Sequence, residues 1–327
     1  NDNCPDGQPE VVSFSSKGPS FLGRRKPDVM APGTDVWSAA TLLFDDACQF
    51  YNVLRTMSGT SMATPAVSGS MALVYQYLKE SIHRLPIDSS KPITSALLRA
   101  FAAASATGVS ENTESGYGSL NLHSILVYPD LDTDRGMRFV SDKIKDNEAH
   151  SYFIETDKVG TLTVAIAWID LPMSPESTLP LFSYFEFSVA GPDGTVHDLK
   201  EEYSTMRKIV IQNAPIGRYE IRIHVREVMH TDELIDYSMV VTGPFEHLNF
   251  NQNPGELKHS VPNTCLSKCP VNKGFAKCDT QTASCICDSH HTGPNCEFEI
   301  QEFTDKHKIR LSLPSRQFWY TRIDYSH

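Results

Sequence analysis

Several features that would assign a function directly are missing from this sequence. Its longest apolar run, Leu162 to Trp168, is interrupted by Thr163 and is far shorter than the roughly 20 residues that a helix needs to cross a bilayer. Positive charge is scarce, since 29 Lys plus Arg stand against 40 Asp plus Glu, a formal net charge of -11. A surplus of cations is what attracts nucleic-acid phosphates and anionic lipid. We therefore predict no nucleic-acid partner and no membrane span in this chain, and nothing indicates an oligomeric state.

An initiator Met and a basic, apolar secretory leader are also lacking, so Asn1 is interpreted as a processing site or an arbitrary cut. A chain of 327 residues with 20 prolines spread along it is too long for one compact unit, so we predict two or three domains. Cysteines are distributed unevenly, with Cys4 and Cys48 in the first third and six more between Cys265 and Cys296. Such a cluster in a short, loop-rich stretch predicts disulfides and a secreted or cell-surface location.

The hydrophobic periodicity divides the chain into two parts. Up to about Leu126 the pattern is mixed, with short extended runs at 10–14 and 28–30. After Gly59 apolar residues recur at spacings of three and four, which predicts a helix, and a second helix is predicted from Pro92 to about Ser105. From about Asp134 to Phe245 the period changes to two, and the runs TLTVAIAWI, YFEFSVA, RKIVIQ, GRYEIRIHVREV and YSMVV predict an antiparallel β-sandwich.

The stretch GTSMATP at 59–65 permits two interpretations. A hydroxyl residue before alanines and a proline is a good generic helix start, in which the side chain only caps the helix. A serine on the first turn of a helix is also a good nucleophile site. Its own amide is unpaired and lies at the positive end of the helix dipole, where it can donate to an oxyanion.

Two preceding stretches favour the nucleophile. FSSKGPS at 14–20 and KPDVMAPG at 26–33 precede GTSMATP in an order and at a spacing that resemble subtilisin-like serine proteases, the subtilases. Residues 10–80 resemble the last third of a subtilase catalytic domain, and ITSALLRAFAAASA with GYGSLNL resembles its closing helices. The resemblance implies a partial α/β domain with a parallel sheet. It also implies a catalytic serine, Ser61, with Gly59, Thr60 and Met62 around the oxyanion position.

The part of the sequence that resembles a subtilase lacks a catalytic base. All twelve histidines follow Ser61, whereas subtilases run Asp, His, Ser along the chain, and the family's upstream Asp, His and oxyanion Asn motifs do not occur. We therefore predict a C-terminal portion of a longer serine endopeptidase that is inactive alone. Asp28 stands where some relatives help to hold a weakly bound cation, although a solvated loop carboxylate is the simpler interpretation.

Two other functions remain open. One is a non-catalytic extracellular adhesion or binding protein that retains a protease remnant. The other is an α/β-hydrolase, because Gly59-Thr-Ser61-Met-Ala63 is one residue from a G-x-S-x-G elbow and that class has its Asp and His downstream.

The sandwich resembles the jelly-roll domain that follows some subtilase catalytic domains. No cofactor is required for the predicted chemistry, but structural Ca²⁺ is possible because relatives bind it there. The loop acids that could act as ligands are Asp170, Glu176, Asp193 and Asp198. Acids in loops are more commonly solvated, so no metal site is assigned.

The six clustered cysteines follow C-x3-C-x8-C-x6-C-x-C-x8-C and resemble an EGF-like module. That resemblance implies the pairs Cys265–Cys278, Cys269–Cys285 and Cys287–Cys296. Zinc is the alternative, since His290 and His291 follow Cys287, but C-x-C is not the usual zinc spacing.

A further disulfide, Cys4–Cys48, is predicted in a section with no other cysteine. The predicted division is a subtilase portion at 1–128, the sandwich at 129–247, a linker at 248–260, the EGF-like module at 261–300 and a tail or further unit at 301–327.

Overall fold

The computed structural model describes residues 9–40, 54–85, 91–108, 112–132, 134–172, 179–199, 203–227 and 233–245. In the last part of the chain it describes 259–260, 274, 276–279, 284–292, 296 and 298–299. The helices are α1 (Thr60–Lys79), α2 (Ser95–Ser105) and a 3₁₀ turn (Leu122–Ser124).

The strands are β1 (Val36–Ala39), β2 (Leu54–Met57), β3 (Gly136–Ile144), β4 (Ala149–Thr156), β5 (Gly160–Trp168), β6 (Ser183–Ala190), β7 (Val196–Asp198), β8 (Met206–Ala214), β9 (Gly217–Glu227), β10 (Ile235–Gly243), β11 (His259–Ser260), β12 (Ala276–Asp279), β13 (Ser284–Cys287), β14 (His291–Thr292) and β15 (Phe298–Glu299).

Two antiparallel sheets form a β-sandwich from β3 onward. One has the strand order β3-β10-β5-β8 and the other β11-β4-β9-β6-β7. The alternation read from the sequence is visible in β9, where Tyr219, Ile221, Ile223 and Val225 are all buried and belong to one core with residues of the facing sheet. At the centre of that core Trp168 stacks on Phe185 at 4.3 Å between ring centroids. The period-two pattern therefore located these strands correctly.

A second core lies on the outer face of the first sheet. Helix α2 packs there, so that Phe101 joins Phe139 of β3, Ala165 of β5 and Val240 of β10 in one hydrophobic cluster. The same cluster includes Val74 at the end of α1. Helix α2 and the sandwich are thus joined by buried apolar surface.

Polar contacts reinforce this joint. The guanidinium of Arg99 on α2 donates to the carbonyl of Trp168 at 3.1 Å and to the hydroxyl of Thr205 at 2.5 Å. Lys208 of β8 donates from Nζ to the carbonyl of Ala106 at the end of α2, at 2.5 Å. Buried carbonyls therefore receive donors across the joint, as buried polar groups require.

The expected parallel sheet is wrong for the described residues. All the named strands pair antiparallel, and the one parallel contact among the described residues is the isolated bridge between Met30 and Ser119. A parallel sheet needs a second strand brought alongside by a crossover, and no described strand lies beside the extended runs in that way. Residues 10–14 form no strand, and 28–30 contribute only the bridge at Met30.

The start predicted for the second helix is also wrong by three residues. Helix α2 begins at Ser95 because the Thr94 hydroxyl accepts a hydrogen bond from the amide of Leu97 and acts as the N-cap. Pro92 therefore precedes the helix and does not open it. The predicted end at Ser105 is confirmed.

Candidate active site

Ser61 lies on the first turn of α1. The helix begins at Thr60, with Gly59 as its N-cap residue, and no side chain caps it. Neither Thr60 nor Ser61 therefore acts as a capping residue. Ser61 is exposed, so its hydroxyl is open to an approaching substrate.

The polar groups of Ser61 are unengaged. Among the residues that the structure describes, neither its amide nor its hydroxyl has a hydrogen-bond partner. The first amides of a helix have no intrahelical acceptor and point outward at the positive end of the helix dipole. If the Ser61 hydroxyl attacked a carbonyl carbon, the oxyanion formed on the carbonyl oxygen would meet this N–H, which is the stabilisation that an acyl transfer needs.

The Ala-Pro-Gly loop supports the turn that carries the serine. The amide of Gly59 donates to the carbonyl of Gly33 at 2.7 Å. A Cβ at Gly33 would lie 2.9 Å from the carbonyl oxygen of Gly59 and 3.3 Å from the Cβ of Ala63. Glycine is required at 33 because any side chain would push this loop away from the helix start.

A cavity of about 670 Å³ opens beside the start of the helix. Its lining includes Met30, Gly33, Trp37, Gly59 and Thr64. No histidine is among the described residues that line it. The acids that line it are Glu10, Asp35 and Glu114. None of these side chains is an imidazole, the group that serves as the base in a Ser-His-Asp triad.

The elements around Ser61 present apolar side chains to solvent. No residue of β1 or β2 is buried, and the buried residues of α1, Val74, Tyr77 and Leu78, all belong to its last six. Trp37 is 69% exposed and Leu54 is 61% exposed. Within the described residues, the strands before Ser61 therefore contribute no buried core.

The first two acids considered as possible cation ligands, Asp28 and Asp170, have other partners. Asp28 pairs with Lys26 at 2.6 Å. The carboxylate of Asp170 accepts from the amides of Phe182 and Ser183, both at 2.9 Å, and burial raises the pKa of Asp170. Its role is to hold the loop before β6.

The other acids give no cluster either. Asp193 accepts from the amide of Thr195 at 3.0 Å, and this bond lowers the pKa of Asp193. Asp198 ends β7, and Glu176 is outside the described residues. Within the described ranges no three His, Cys, Asp or Glu side chains gather as a metal site would need. Structural Ca²⁺ stays a prediction.

One disulfide is present in the described part of the chain. It joins Cys287 and Cys296, a pair that the EGF-like resemblance implies. Cys278 and Cys285 are direct partners in the β12–β13 ladder. Cys265 and Cys269 lie outside the described residues, as do Cys4 and Cys48. The other pairings, the EGF-like and jelly-roll assignments and the domain boundaries therefore stay predictions.

A buried polar network was missed at the sequence level. His150 is 2% exposed. Its Nδ1 lies 2.6 Å from the hydroxyl of Tyr237, which contacts the hydroxyl of Tyr152, and its Nε2 lies 3.3 Å from Glu148. His150 is in phase with Tyr152 and Ile154 on β4, so period two could have placed it inside the sandwich.

Residues 5–119 match the model of the Subtilase family, Peptidase_S8. The chain is 23% identical over 264 residues to the serine protease/ABC transporter B family protein tagA of Dictyostelium discoideum, which covers 70% of this chain and 15% of that protein. It is 37% identical over 81 residues to the serine protease AprX of Bacillus subtilis, covering 23% of this chain and 18% of AprX.

A third relative is the subtilisin-like protease SBT4.8 of Arabidopsis thaliana, 35% identical over 155 residues, which are 42% of this chain and 21% of that protease. The chain thus spans between 15% and 21% of the length of these curated relatives. Subtilase sequence is therefore present around Ser61, and the relatives are serine proteases. In the helices that the structure describes, no segment is long and apolar enough to cross a membrane.

Proposed function

We propose that this chain provides the nucleophile of a subtilisin-like serine endopeptidase. The observation that carries the proposal is Ser61, exposed on the first turn of α1 with its amide unengaged by any described residue, within the part that matches the Subtilase family. Its hydroxyl oxygen would attack a peptide carbonyl carbon, the peptide C–N bond would break, and the serine proton would pass through the base to the departing amine, which leaves an acyl-enzyme. The substrate is a protein or peptide, and hydrolysis of the ester would regenerate the serine.

The base is assigned to a His–Asp pair outside these 327 residues. A serine hydroxyl is protonated at neutral pH and is a weak nucleophile without an adjacent base. No histidine lines the cavity beside the helix start within the described residues. A segment carrying the pair would also cover the exposed apolar side chains of β1 and β2, including Trp37, Leu54 and Met57.

The transition state would be stabilised by the start of the helix. The Ser61 amide is one donor to the oxyanion, and Gly59, Thr60 and Met62 shape the surrounding turn. A second donor would come with the segment that brings the base. Removing one such donor typically costs about 10²–10³ in kcat.

An oxidising location fits the same proposal. Cys287 and Cys296 form a disulfide, and disulfides persist in secreted and cell-surface proteins. The sandwich and the cysteine module would then position the protease or its substrates outside the cell. Structural Ca²⁺ remains a proposal for the sandwich loops.

A non-catalytic binding protein is the second candidate, favoured by the lack of a histidine along the described cavity lining. An α/β-hydrolase is less consistent, because its elbow follows a central parallel strand, whereas β2 before Ser61 is exposed and pairs antiparallel with β1.

Three proteins distinguish these functions: the full-length protein from the complete coding sequence, its Ser61→Ala variant and the 327-residue chain. Each is tested with a fluorogenic peptide and a fluorophosphonate probe. The full-length protein should cleave and label, whereas Ser61→Ala should lose activity by about 10⁶-fold, as subtilisin does when its serine is removed. The matched control is Ser68→Ala on the same helix, because the Ser68 hydroxyl is exposed and, among the described residues, donates only to the Thr64 carbonyl.

The 327-residue chain should neither cleave nor label. If this chain were labelled at the full-length rate, the base would not lie outside the 327 residues, and a histidine after Ser61 would again be a candidate for it. A full-length protein that neither cleaves nor labels would support the binding protein.

A further inference from the structure

A pair of side chains joins the two segments that flank the nucleophile turn. The amide of Asp35 donates to the hydroxyl oxygen of Ser58 at 2.8 Å. The same hydroxyl donates to Oδ1 of Asp35 at 3.3 Å. Ser58 is three residues before Ser61, and Asp35 is two residues after Gly33 in the Ala-Pro-Gly loop.

Asp35 is held in an unusual backbone conformation. Its φ is 51°, in the left-handed region, which L-residues other than glycine occupy at a cost. Asp and Asn tolerate this region best because their short polar side chains bond locally. Such residues persist where the surroundings fix them, and they concentrate at active sites.

The pair stands within a short ladder that ends at the helix start. Val36 of β1 pairs with Met57 of β2, the Asp35–Ser58 contacts follow, and the bond from the Gly59 amide to the Gly33 carbonyl is 2.7 Å. Each contact ties the loop to the strand that runs into α1. The ladder therefore fixes where α1, and with it Ser61, begins.

Stability alone does not explain this arrangement. Asp35 and Ser58 are both exposed, and hydrogen bonds in contact with water contribute little to folding. The position of a reacting group has a much larger effect, because a displacement of about 1 Å can cost about 10²-fold in rate. The Asp35–Ser58 contacts therefore matter mainly for where the turn is held.

We propose that Asp35 and Ser58 are positioning residues that hold the start of α1, so that the Ser61 hydroxyl and amide face the scissile carbonyl together. This inference rests on the proposed protease function. Loss of the pair should shift the turn by a fraction of an ångström, and the rate of attack by Ser61 should fall about three- to tenfold.

The test uses four variants of the full-length protein. Ser58→Ala removes the hydroxyl and Ser58→Thr keeps it. Asp35→Ala removes the carboxylate and favours φ below zero, whereas Asp35→Asn keeps an acceptor and tolerates the left-handed region. The control is Ser68→Ala on the outside of α1. The measurements are kcat and KM on a fluorogenic peptide, the rate of fluorophosphonate labelling and the melting temperature.

We expect Ser58→Ala and Asp35→Ala to lower kcat and the labelling rate about three- to tenfold, with KM and melting temperature close to those of wild type. Ser58→Thr, Asp35→Asn and Ser68→Ala should stay within about twofold of wild type. If Ser58→Ala does not fold, the rates of Asp35→Ala and Asp35→Asn are compared instead. If Asp35→Ala does not fold, the rates of Ser58→Ala and Ser58→Thr are compared.

Wild-type labelling rates in both alanine variants would overturn the inference, and so would equal losses in the alanine and conservative variants. Both outcomes leave the proposed protease function standing. A wild-type protein that neither cleaves nor labels would overturn the protease function and, with it, this role for the pair.

Discussion

Helices α1 and α2 differ sharply in how they are buried, although both are amphipathic in sequence. Eight of the eleven residues of α2 are buried, compared with three of the twenty in α1, all near its C-terminal end. Helix α2 is covered by the sandwich on its apolar face, whereas every residue in the first half of α1 is exposed or only partly buried. The difference separates a helix that builds a core from one whose start, where the proposed nucleophile Ser61 lies, is open.

The buried apolar surface and the proposed active site lie in different parts of the molecule. Burial of apolar surface contributes about 25 cal/mol per Å², and in the described residues it is concentrated in the sandwich and against α2. The hydrogen bonds of the Ser61 turn are exposed and contribute geometry more than stability. Substitutions in the two regions should therefore affect different measurements.

The largest expected effect is the loss of stability in Phe101→Ala. Phe101 is fully buried on α2 and meets the ring of Phe139 at 5.9 Å. Truncation should cost about 3–5 kcal/mol of unfolding free energy because it leaves a cavity at the joint. Urea unfolding of the 327-residue protein measures it, with Leu73→Ala as the control on α1, where the side chain is 56% exposed. Similar losses in both variants would contradict the difference in burial between the two helices.

A smaller effect is expected for Arg99→Met. This change removes the donors to Trp168 and Thr205 from a guanidinium whose pKa is lowered by burial. Hydrogen bonds from charged groups contribute about 1.5–3 kcal/mol, and part of the side-chain packing survives in Met. We expect a loss of about 1–3 kcal/mol in urea unfolding. Arg24→Met, at an exposed loop position, should leave stability unchanged; an equal loss there would contradict a specific role for Arg99.

Oxidation of Met62 should affect activity and leave stability largely unchanged. Met62 follows Ser61, is partly exposed, and has its sulfur near Gly59. Its sulfoxide would place a polar group beside the proposed nucleophile, and we expect any peptidase activity of the full-length protein to slow several-fold. Peroxide treatment of wild type and Met62→Ala measures this. Equal inactivation of the two proteins would indicate another oxidation target.

The smallest effect is expected for Trp37→Ala in the 327-residue chain. Trp37 is 69% exposed on β1, and surface substitutions usually change stability by less than about 0.5 kcal/mol. In the full-length protein the loss should exceed about 2 kcal/mol if a segment carrying the base covers this side chain. Urea unfolding of both proteins gives the two values. Equal small losses would mean that the face stays open in the full-length protein.

Much of the fold was predictable because its patterns are local. Period two along β9 identified Tyr219, Ile221, Ile223 and Val225 as core residues, and the spacing after Gly59 identified α1. The start of α2 was not predicted, because Thr94 and Pro92 compete as start signals and only the hydrogen bond to Leu97 decides between them. The expected parallel sheet was wrong because strand pairing depends on which distant segment lies alongside, which periodicity does not report.

The candidate site was likewise predictable from the sequence only where its features are local. GTSMATP and the two stretches before it were enough to single out Ser61, because helix starts and glycine-dependent loops are encoded in short segments. They could not show that Asp35 meets Ser58, since these residues are 23 positions apart. They also gave no sign of the buried contact between His150 and Tyr237, since these residues are 87 positions apart.

By itself, the sequence determined the helices, the alternating strands and the absence of a histidine before Ser61, since each follows from residue type and short-range spacing. The role of Ser61 as a nucleophile stays a prediction. The tertiary structure decided which surfaces are buried against one another. It placed α2 on the outer face of the first sheet and left the start of α1 exposed. Burial depends on contacts between residues far apart in the chain, and only the folded arrangement brings those residues together.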